Sequence, residues 1–138
     1  MYYIGMKVIK KAALAYFKDK KMLQVRTNEQ DSVFYTLGGK YEEEESDAEC
    51  LKREINEEIG CEIEEGSLKF LGEFEDEAHG DQAMLSIRLY TGKLIGEPKP
   101  SSEIVEIGYF DTTSDPDKLS VIAKRTIFPW LKEHGYIN

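Results

Sequence analysis

The segment GKYEEEESDAECLKREINEEIGC, residues 39–61, constrains the fold more than any other part of the chain, because it encodes one well-marked helix. Ser46 followed three residues later by Glu49 has the form of a capping box, in which each side chain accepts a hydrogen bond from a backbone N–H that the helix leaves unpaired. Apolar side chains then recur at spacings of three and four, and Gly60 suits the left-handed conformation that ends a helix. The predicted helix spans residues 47–59.

The acidic side chains of this helix fall into two groups. Asp47 and Glu49 in the first turn face the positive end of the helix dipole, where acids are stabilising, so a structural role accounts for them. Glu54, Glu57 and Glu58 lie at positions i, i+3 and i+4 on one face, where like charges repel by roughly 0.2–0.5 kcal/mol per pair. A cation among them would offset this repulsion, and clustered carboxylates suit Mg2+, Mn2+ or Ca2+. The rear of the helix therefore predicts a site for a hard divalent cation.

The fixed residues of this segment resemble the Nudix box, G-x5-E-x7-R-E-U-x-E-E-x-G-U, in which U is a bulky aliphatic residue. Gly39, Glu45 and residues 53–60 match every fixed polar and glycine position of that pattern. Cys61 departs from it in the last aliphatic position, but cysteine is also small and readily buried. A pattern with this many fixed positions is far more specific than a lone glycine fingerprint. The chain is therefore identified as a member of the Nudix hydrolase family, MutT-like in its short length.

The resemblance implies an α/β fold, specifically a Nudix-type α/β/α sandwich around a mixed β-sheet, with residues 1–138 as one domain. It implies Mg2+, or Mn2+, as the cofactor. Glu57 and Glu58 are then the principal metal ligands, whereas Glu54 either binds metal as well or accepts the proton of the attacking water. These three side chains and Arg53 form the predicted catalytic set.

Other positions gain a role from the same resemblance. The backbone carbonyl of Gly39 commonly helps to bind metal in the family, although the need for a turn also explains this glycine. Arg53 commonly neutralises Glu45 and holds the loop against the helix, with direct phosphate contact as the alternative. A glutamate before a later strand often joins the metal site, which makes Glu103 a candidate ligand; the other interpretation is a charged residue that guards a sheet edge.

The implied reaction is metal-dependent hydrolysis of a phosphoanhydride bond in a nucleoside diphosphate linked to another group X. A narrower alternative is a MutT-type pyrophosphohydrolase of nucleoside triphosphates, including oxidised nucleotides. An alternative from another class is a catalytically silent Nudix-like nucleotide sensor. Such sensors often lose box glutamates, and the retention of every box glutamate here favours the enzyme.

The charge distribution narrows the class of partner. The net charge is −9, and residues 38–65 alone hold 12 acidic and 3 basic residues, which gives the same −9. The remaining residues hold 15 acids and 15 bases, so the acidity is local to the box. This distribution argues against a broad basic surface for duplex nucleic acid and favours a small-molecule nucleotide partner bound through metal.

The cysteines and the hydropathy of the sequence indicate where in the cell the protein is expected. Cys50 and Cys61 are the only cysteines, and their spacing matches no zinc site or disulfide framework. Near the N-terminus, six uncharged residues separate Lys11 from Lys18, too few for a signal-peptide core or a membrane span. We therefore expect a cytoplasmic protein with no membrane partner. Relatives frequently form homodimers, so a homodimer is one expected assembly.

The rest of the chain alternates between strand-like segments and turns. The predicted strands are 7–17, 22–27, 33–37, 67–77, 83–95 and 103–110. The first two are expected to form a hairpin that opens the sheet, and the third to run into a turn at Gly38 and Gly39. A helix is predicted from Pro116, interrupted near Pro129. Trp130 on its apolar face is expected in the core, with base stacking as the alternative.

Substrate choice is expected to depend on the segments 73–81 and 96–103 and on Trp130. Three glutamates in the first segment alternate along one strand face, which is typical of an exposed face and less often of a ligand site. His79 follows in a loop with no second histidine nearby, so it is expected to be a solvated surface residue.

Overall fold

The computed structural model of the protein describes residues 7–28, 30–78 and 82–138, so His79 lies outside the described residues. The strands are β1 (Lys7–Ala15), β2 (Phe17–Lys18), β3 (Lys21–Arg26), β4 (Tyr35–Thr36), β5 (Gly38–Lys40), β6 (Glu62–Ile63), β7 (Lys69–Glu77), β8 (Ala83–Thr91), β9 (Leu94–Ile95) and β10 (Glu106–Phe110). The helices are α1 (Asp47–Ile59) and α2 (Phe128–Glu133), together with a 3-10 turn (Pro116–Lys118) and a π-helical segment (Ala123–Ile127).

The central sheet has four strands in the order β5-β1-β8-β7. Strands β1 and β8 run parallel, whereas β5 pairs with β1 and β7 pairs with β8 in antiparallel fashion. Strands β10, β3 and β2 form a second sheet that β4 joins through β3, and β6 pairs with β9. The predicted α/β class with a mixed sheet is confirmed.

Two apolar cores lie on opposite faces of the central sheet. Alternate residues of β1 point to opposite faces. Ala13 and Ala15 belong to a core that the C-terminal helical region covers, with Ile127, Phe128 and Leu131. Ala12 and Leu14 belong to the core under α1, with Cys50, Leu51, Ile55 and Ile59. Helices therefore cover both faces, as the predicted α/β/α sandwich requires.

Helix α1 forms with the predicted bounds and caps. The backbone N–H of Glu49 donates to Ser46 Oγ at 3.1 Å, and the N–H of Ser46 donates to Glu49 Oε1 at 3.0 Å. Gly60 ends the helix with φ 67° in the left-handed region, which favours glycine. The local sequence therefore fixes both ends of the helix that carries the three rear glutamates.

The N-terminal hairpin prediction is only partly right. The hairpin consists of β2 and the start of β3, whereas β1 pairs with β8 and β5 in the central sheet. The chain passes from one sheet to the other at Tyr16, which lies between β1 and β2. Residues 12–15 are buried, so this stretch needs packing on both faces, and a two-stranded hairpin does not provide that.

The predicted turn at Gly38 and Gly39 is wrong, because both residues belong to β5. Gly38 has φ 138°, and a Cβ there would lie 2.2 Å from the carbonyl oxygen of Ala12. Gly38 is thus required for the close approach of β5 to β1. The prediction was wrong because two consecutive glycines are also typical of a turn.

Two later strands are shorter than predicted. The strand predicted over 83–95 stops at Thr91, and Leu94–Ile95 forms the separate strand β9. The strand predicted over 103–110 begins only at Glu106, and Glu103 lies in the preceding turn. The interpretation of Glu103 as an edge-strand residue is therefore wrong.

The C-terminal helix is interrupted more than predicted. Pro116 begins a single 3-10 turn, after which Leu119 is extended, with φ −113° and ψ 145°. Helical structure resumes before Ala123, and the N–H of Phe128 donates to the carbonyl of Ala123 in the i to i+5 pattern of a π-helix. Pro129 follows directly, and its missing N–H and its ring disturb the regular α-helical pattern just before it. None of the helices within residues 7–28, 30–78 and 82–138 is long and apolar enough to span a membrane.

Candidate active site

The edge strand β5 lies directly against the rear of α1. A Cβ added to Gly39 would stand 2.5 Å from Glu54 Cδ and 2.6 Å from its Oε2, closer than any real side chain comes. The carbonyl oxygen of Gly39 lies 3.5 Å from Cys50 Sγ on the same helix. A residue with a side chain at position 39 would therefore displace the Glu54 carboxylate.

Glu58 connects the helix to the same strand. Its Oε1 accepts a hydrogen bond from the backbone N–H of Gly38 at 2.9 Å. Burial first, and then the nearby Glu54 and Glu57 carboxylates, raise the pKa of Glu58 to about 8, although the Gly38 hydrogen bond and the charge of Lys11 act in the opposite direction. This carboxyl group is thus poorly solvated and surrounded mainly by negative charge.

Arg53 holds the loop before α1 against the helix. Its Nε and Nη2 each donate at 2.8 Å to a different carboxylate oxygen of Glu45, which is a bidentate ion pair, and Nη2 also donates at 3.0 Å to the carbonyl of Lys40. Hydrogen bonds from Arg53, and then from the backbone of Glu42, lower the pKa of Glu45 to about 2. The contact expected between Arg53 and Glu45 is present.

The three rear glutamates share a helix face but do not converge. Arg53 Nη1 draws Glu54 Oε1 to 2.6 Å, whereas the Gly38 amide draws Glu58 towards β5. Glu57 is half exposed, 3.8 Å from Arg53 Nη1. As the side chains stand, no three acidic, histidine or cysteine groups within residues 7–28, 30–78 and 82–138 are grouped closely enough to hold an ion. Each of the three carboxylates instead lies close to another group of the protein.

The donor set nevertheless suits a hard divalent cation. Three carboxylates lie on one helix face, and the glycine at position 39 leaves a space beside Glu54 that a Cβ would fill. The raised pKa of Glu58, caused first by burial and then by neighbouring carboxylates, is the shift that a bound cation would reverse. The residues therefore fit Mg2+ or Mn2+ chemically.

Glu103 stands apart from this contact set. It is exposed in a turn of the loop between β9 and β10. That loop packs against the end of α1, because the N–H of Ser101 donates to the carbonyl of Glu58 at 3.0 Å and that of Lys99 to the carbonyl of Ile59 at 3.1 Å. The loop thus lies at the C-terminal end of α1, near Glu57 and Glu58. The ligand role of Glu103 stays a prediction.

A cleft of about 410 Å³ opens beside Glu58. Residues of β1 and β8 form one wall, with Ile9 paired to Leu85 and Lys11 to Ile87. Polar groups also line it; these are Thr27, Asn28, Asp31, Tyr35, Thr36 and Ser120. A cleft that combines apolar walls with several polar groups is compatible with a small-molecule site.

The segments predicted to choose the substrate contribute little to this cleft. Of the described part of 73–81 only Ala78 lines it, and neither the loop 96–103 nor Trp130 does so. Trp130 packs on the core edge-to-face with Phe74, ring centroids 5.5 Å apart, and stacks on His134 at 3.9 Å. The core interpretation of Trp130 is confirmed.

Sequence reasoning missed Lys11 and Lys40, which line the cleft near Glu58. A signal for Lys11 is present in the sequence. Lys11 alternates in phase with Ile9 and Ala13 on the inward face of an apolar strand, where a charged residue is unusual.

Comparison with known proteins agrees with this architecture. The sequence matches the model of the NUDIX domain over residues 9–131. A search of curated protein sequences gave no match. The fold is similar to that of the MutT protein from Methanosarcina mazei Go1, with a TM-score of 0.73 and 18% identity over 94% of this chain and 97% of that one.

Two further solved structures have the same fold. The MutT NUDIX hydrolase from Burkholderia pseudomallei gives a TM-score of 0.71 and 21% identity, over 89% of this chain and 97% of that one. The E. coli ORF135 protein gives a TM-score of 0.70 and 20% identity, over 95% of each chain. Since the domain match covers most of the sequence and the fold agrees, the chain belongs to the Nudix hydrolase family.

Proposed function

We propose that this Nudix hydrolase cleaves a phosphoanhydride bond in a nucleoside diphosphate linked to another group X, giving a nucleoside monophosphate and phosphorylated X. The observation that carries the proposal is the position of Glu58, which lies on the same helix face as Glu54 and Glu57 and also lines the cleft. A substrate in the cleft would thus have its phosphates beside the glutamates of α1. Three carboxylates at this spacing repel one another, and a bound cation would offset that repulsion.

The residues proposed to hold Mg2+ or Mn2+ are Glu54, Glu57, Glu58 and the carbonyl of Gly39, with Glu103 as a further ligand from the adjoining loop. When bound, the cation neutralises phosphate oxygens and lowers the pKa of a coordinated water. Glu54 is either a ligand or the general base.

The role proposed for Arg53 is to position this machinery. Its bidentate contact with Glu45 and its bond to the Lys40 carbonyl tie together the loop, β5 and α1. Its contact with Glu54 orients that carboxylate. Glu45 is accordingly a structural support, and phosphate contact by Arg53 is the less favoured alternative.

A substrate panel tests the proposal. The protein, Glu57→Gln and the control Glu62→Gln are incubated with nucleoside diphosphate derivatives, with Mg2+ or with a chelator. Glu62 is an exposed strand residue outside the cleft lining. We expect turnover only with Mg2+, unchanged in the control and more than tenfold slower in Glu57→Gln, since losing even an outer-shell partner of a metal costs about 10- to 100-fold. Equal turnover in Glu57→Gln would refute the site assignment.

The narrower MutT-type function is supported by the names of two of the similar structures. Product analysis distinguishes it, because a nucleoside triphosphate would yield a monophosphate and inorganic pyrophosphate. A nucleotide sensor would bind members of the panel with no metal-dependent turnover of any of them. We further propose that the chain acts as one domain in the cytoplasm, a location that suits the free thiols of Cys50 and Cys61.

A further inference from the structure

Three polar residues that follow β3 form a rim of the cleft. Thr27, Asn28 and Asp31 all line it, and these three residues are called the rim below. The N–H of Gln30 donates to Asn28 Oδ1 at 2.8 Å, and the N–H of Val33 donates to Asp31 Oδ1 at 2.9 Å. Because each of these side chains is bonded to the backbone two residues on, its direction depends on the local backbone conformation.

Arg26, the last residue of β3, holds the backbone of the rim. Its Nη1 donates to the carbonyl of Asn28 at 2.7 Å and to the carbonyl of Asp31 at 3.1 Å, and these two bonds are called the Arg26 clasp. The N–H of Asp31 also donates to the carbonyl of Asn28 at 3.1 Å. Hydrogen bonds from a charged donor are roughly twice as strong as neutral ones. One guanidinium nitrogen thus fixes two carbonyls of the rim.

Glu106 keeps the guanidinium group of Arg26 in place. The antiparallel register of β3 and β10 pairs the two residues. Glu106 Oε1 accepts a hydrogen bond from Arg26 Nε at 2.9 Å and lies 2.8 Å from Nη2. The guanidinium carbon also lies 6.0 Å from the centroid of the Phe34 ring. Since the Arg26 side chain is only 15% exposed, these contacts leave it little freedom to abandon the clasp.

Arg26 contacts the rim from the side away from the cleft. It lines an outer groove together with Glu106 and Lys118. Asp31 lines both the cleft and this outer groove, so the rim forms a wall between them. In this position Arg26 can act on a substrate in the cleft through the conformation of the rim.

We propose that Arg26 is a positioning residue for substrate binding, because its clasp keeps the rim in the conformation that receives the substrate. This inference rests on the proposed function, which places the substrate in the cleft. A rim that also samples other conformations binds more weakly, in proportion to the time that it spends in the binding one. The clasp therefore raises the affinity and leaves the chemistry at the glutamates of α1 unchanged once the substrate is bound.

Two simpler roles of Arg26 make different claims. If Arg26 only stabilises the fold, its substitution lowers the free energy of unfolding and does not change the KM of the folded protein. If Arg26 only attracts an anionic substrate, the effect of its substitution disappears at high salt, because salt screens charges at a distance. The test must therefore measure the order of the rim and the affinity for a nucleotide separately.

Arg26→Gln removes the charge and the forked donor group. Arg26→Lys keeps the charge without the fork, and it serves for the same comparison if Arg26→Gln does not fold. Lys118→Gln is the matched control, since Lys118 is exposed and lines the same outer groove. The control keeps the backbone carbonyl of residue 118, which accepts a hydrogen bond from the N–H of Phe34.

Three measurements are made on each variant. Hydrogen exchange, followed by NMR, reports the order of the rim through the amides of Asp31 and Val33, and urea denaturation reports the stability. Calorimetry at fixed Mg2+ gives the dissociation constants of adenosine, guanosine, cytidine and uridine monophosphate. Steady-state kinetics with a hydrolysed member of the nucleoside diphosphate panel gives KM and kcat.

We expect the two amides to exchange at least about tenfold faster in Arg26→Gln. KM and the dissociation constants should rise about tenfold, as for a rim that holds its binding conformation about a tenth of the time. Because the clasp does not act on the reacting atoms, kcat should change by less than about twofold. Arg26→Lys should lie between Arg26→Gln and the wild type, the control should match the wild type, and the loss should persist at high salt.

The other outcomes separate the two proposals. If the two amides exchange as slowly in Arg26→Gln as in the wild type, or if they exchange faster while KM and the dissociation constants stay the same, the positioning role is wrong and the proposed function is unaffected. An equal loss in Lys118→Gln, or a loss that vanishes at high salt, would assign the effect to charge and refute the clasp.

The positioning role can also survive the failure of the proposed function. If Arg26→Gln weakens monophosphate binding as expected and no nucleoside diphosphate derivative is hydrolysed by the wild type, the positioning role is upheld and the proposed hydrolysis is wrong. A wild type that neither binds a monophosphate nor hydrolyses a derivative would refute both proposals.

Discussion

Gly39 faces the carboxyl group of Glu54 so closely that a Cβ on residue 39 would lie 2.5 Å from Glu54 Cδ. In Gly39→Ala the flexible end of Glu54 must move aside, because the three heavy atoms nearest to the added Cβ all belong to that carboxyl group. We expect kcat/KM to fall about 100-fold, the cost of misplacing a reacting group by roughly 1 Å. Gly92→Ala is the control, since its nearest contact is the Leu68 side chain at 3.2 Å. Full activity in folded Gly39→Ala would show that the position of Glu54 is unimportant.

Arg53→Lys tests whether geometry or charge matters at this position. Lysine keeps the charge but loses the two parallel bonds to Glu45 and cannot contact the Lys40 carbonyl and Glu54 at the same time. We expect at least a tenfold loss of kcat/KM, typical of a partner that orients metal ligands. Lys52→Gln serves as the control, because Lys52 is exposed and its contact with Glu65 is a surface ion pair. If Arg53→Lys is as active as the wild type, only the positive charge of Arg53 matters and its bidentate geometry does not.

The sequence predicts α1 with its bounds because every signal for it is local. The capping box and Gly60 act within a few residues of the helix ends, and the box spacing depends on that same helix. The function of Gly38 and Gly39 is not local. Glycine permits many backbone conformations, so the two glycines alone do not distinguish a turn from a strand. Their place in β5 depends on pairing with β1, which is distant in the sequence and adjacent only in the folded protein.

The cleft was harder to predict for the same reason. Its wall joins β1 to β8, more than seventy residues apart in the chain, through the pairing of Lys11 with Ile87. No local pattern encodes that contact. What the sequence does contain is Lys11 on an apolar strand face, a local inconsistency of the kind that often marks a functional site.

Asp47 anchors the start of α1 to the central sheet. Its Oδ2 accepts from Arg88 Nε at 2.8 Å and from the Tyr90 hydroxyl, and its Oδ1 accepts from the Tyr41 hydroxyl at 2.7 Å. We expect Asp47→Asn to lower the free energy of unfolding by about 1–2 kcal/mol, because charge-assisted bonds are lost in a half-buried place. The measurement is urea denaturation.

Glu49→Gln is the matched control for Asp47→Asn. Both changes remove one acid from the first turn of α1, so the effect on the helix dipole is similar. Glutamine can still accept the bond from the Ser46 N–H. We therefore expect the larger loss in Asp47→Asn. Equal losses would mean that the contacts with Arg88 and the two tyrosines add nothing to stability.

Asp76 holds the π-helical segment against β7. It accepts hydrogen bonds from Arg125, one of them from Nε at 3.1 Å, and from Thr126 Oγ1 at 2.7 Å. The Arg125 bond, followed by the Thr126 bond, holds the pKa of Asp76 below its usual value of 3.8 despite burial. A carboxyl group whose pKa is lowered in the folded state adds stability above the unfolded-state pKa, and this stability is lost as the pH falls through the folded-state pKa.

We therefore expect Asp76→Asn to lower the free energy of unfolding by about 1 kcal/mol near neutral pH, a value at the lower end for charged bonds because Arg125 is largely exposed. The difference from the wild type should shrink as the pH falls below 3.8, the usual pKa of the group. Urea denaturation at several pH values measures it. Glu77→Gln is the control, since exposed Glu77 lies 3.4 Å from Arg125 Nη2 and should contribute little. A loss in Asp76→Asn that does not change with pH would exclude the ionised carboxylate as its cause.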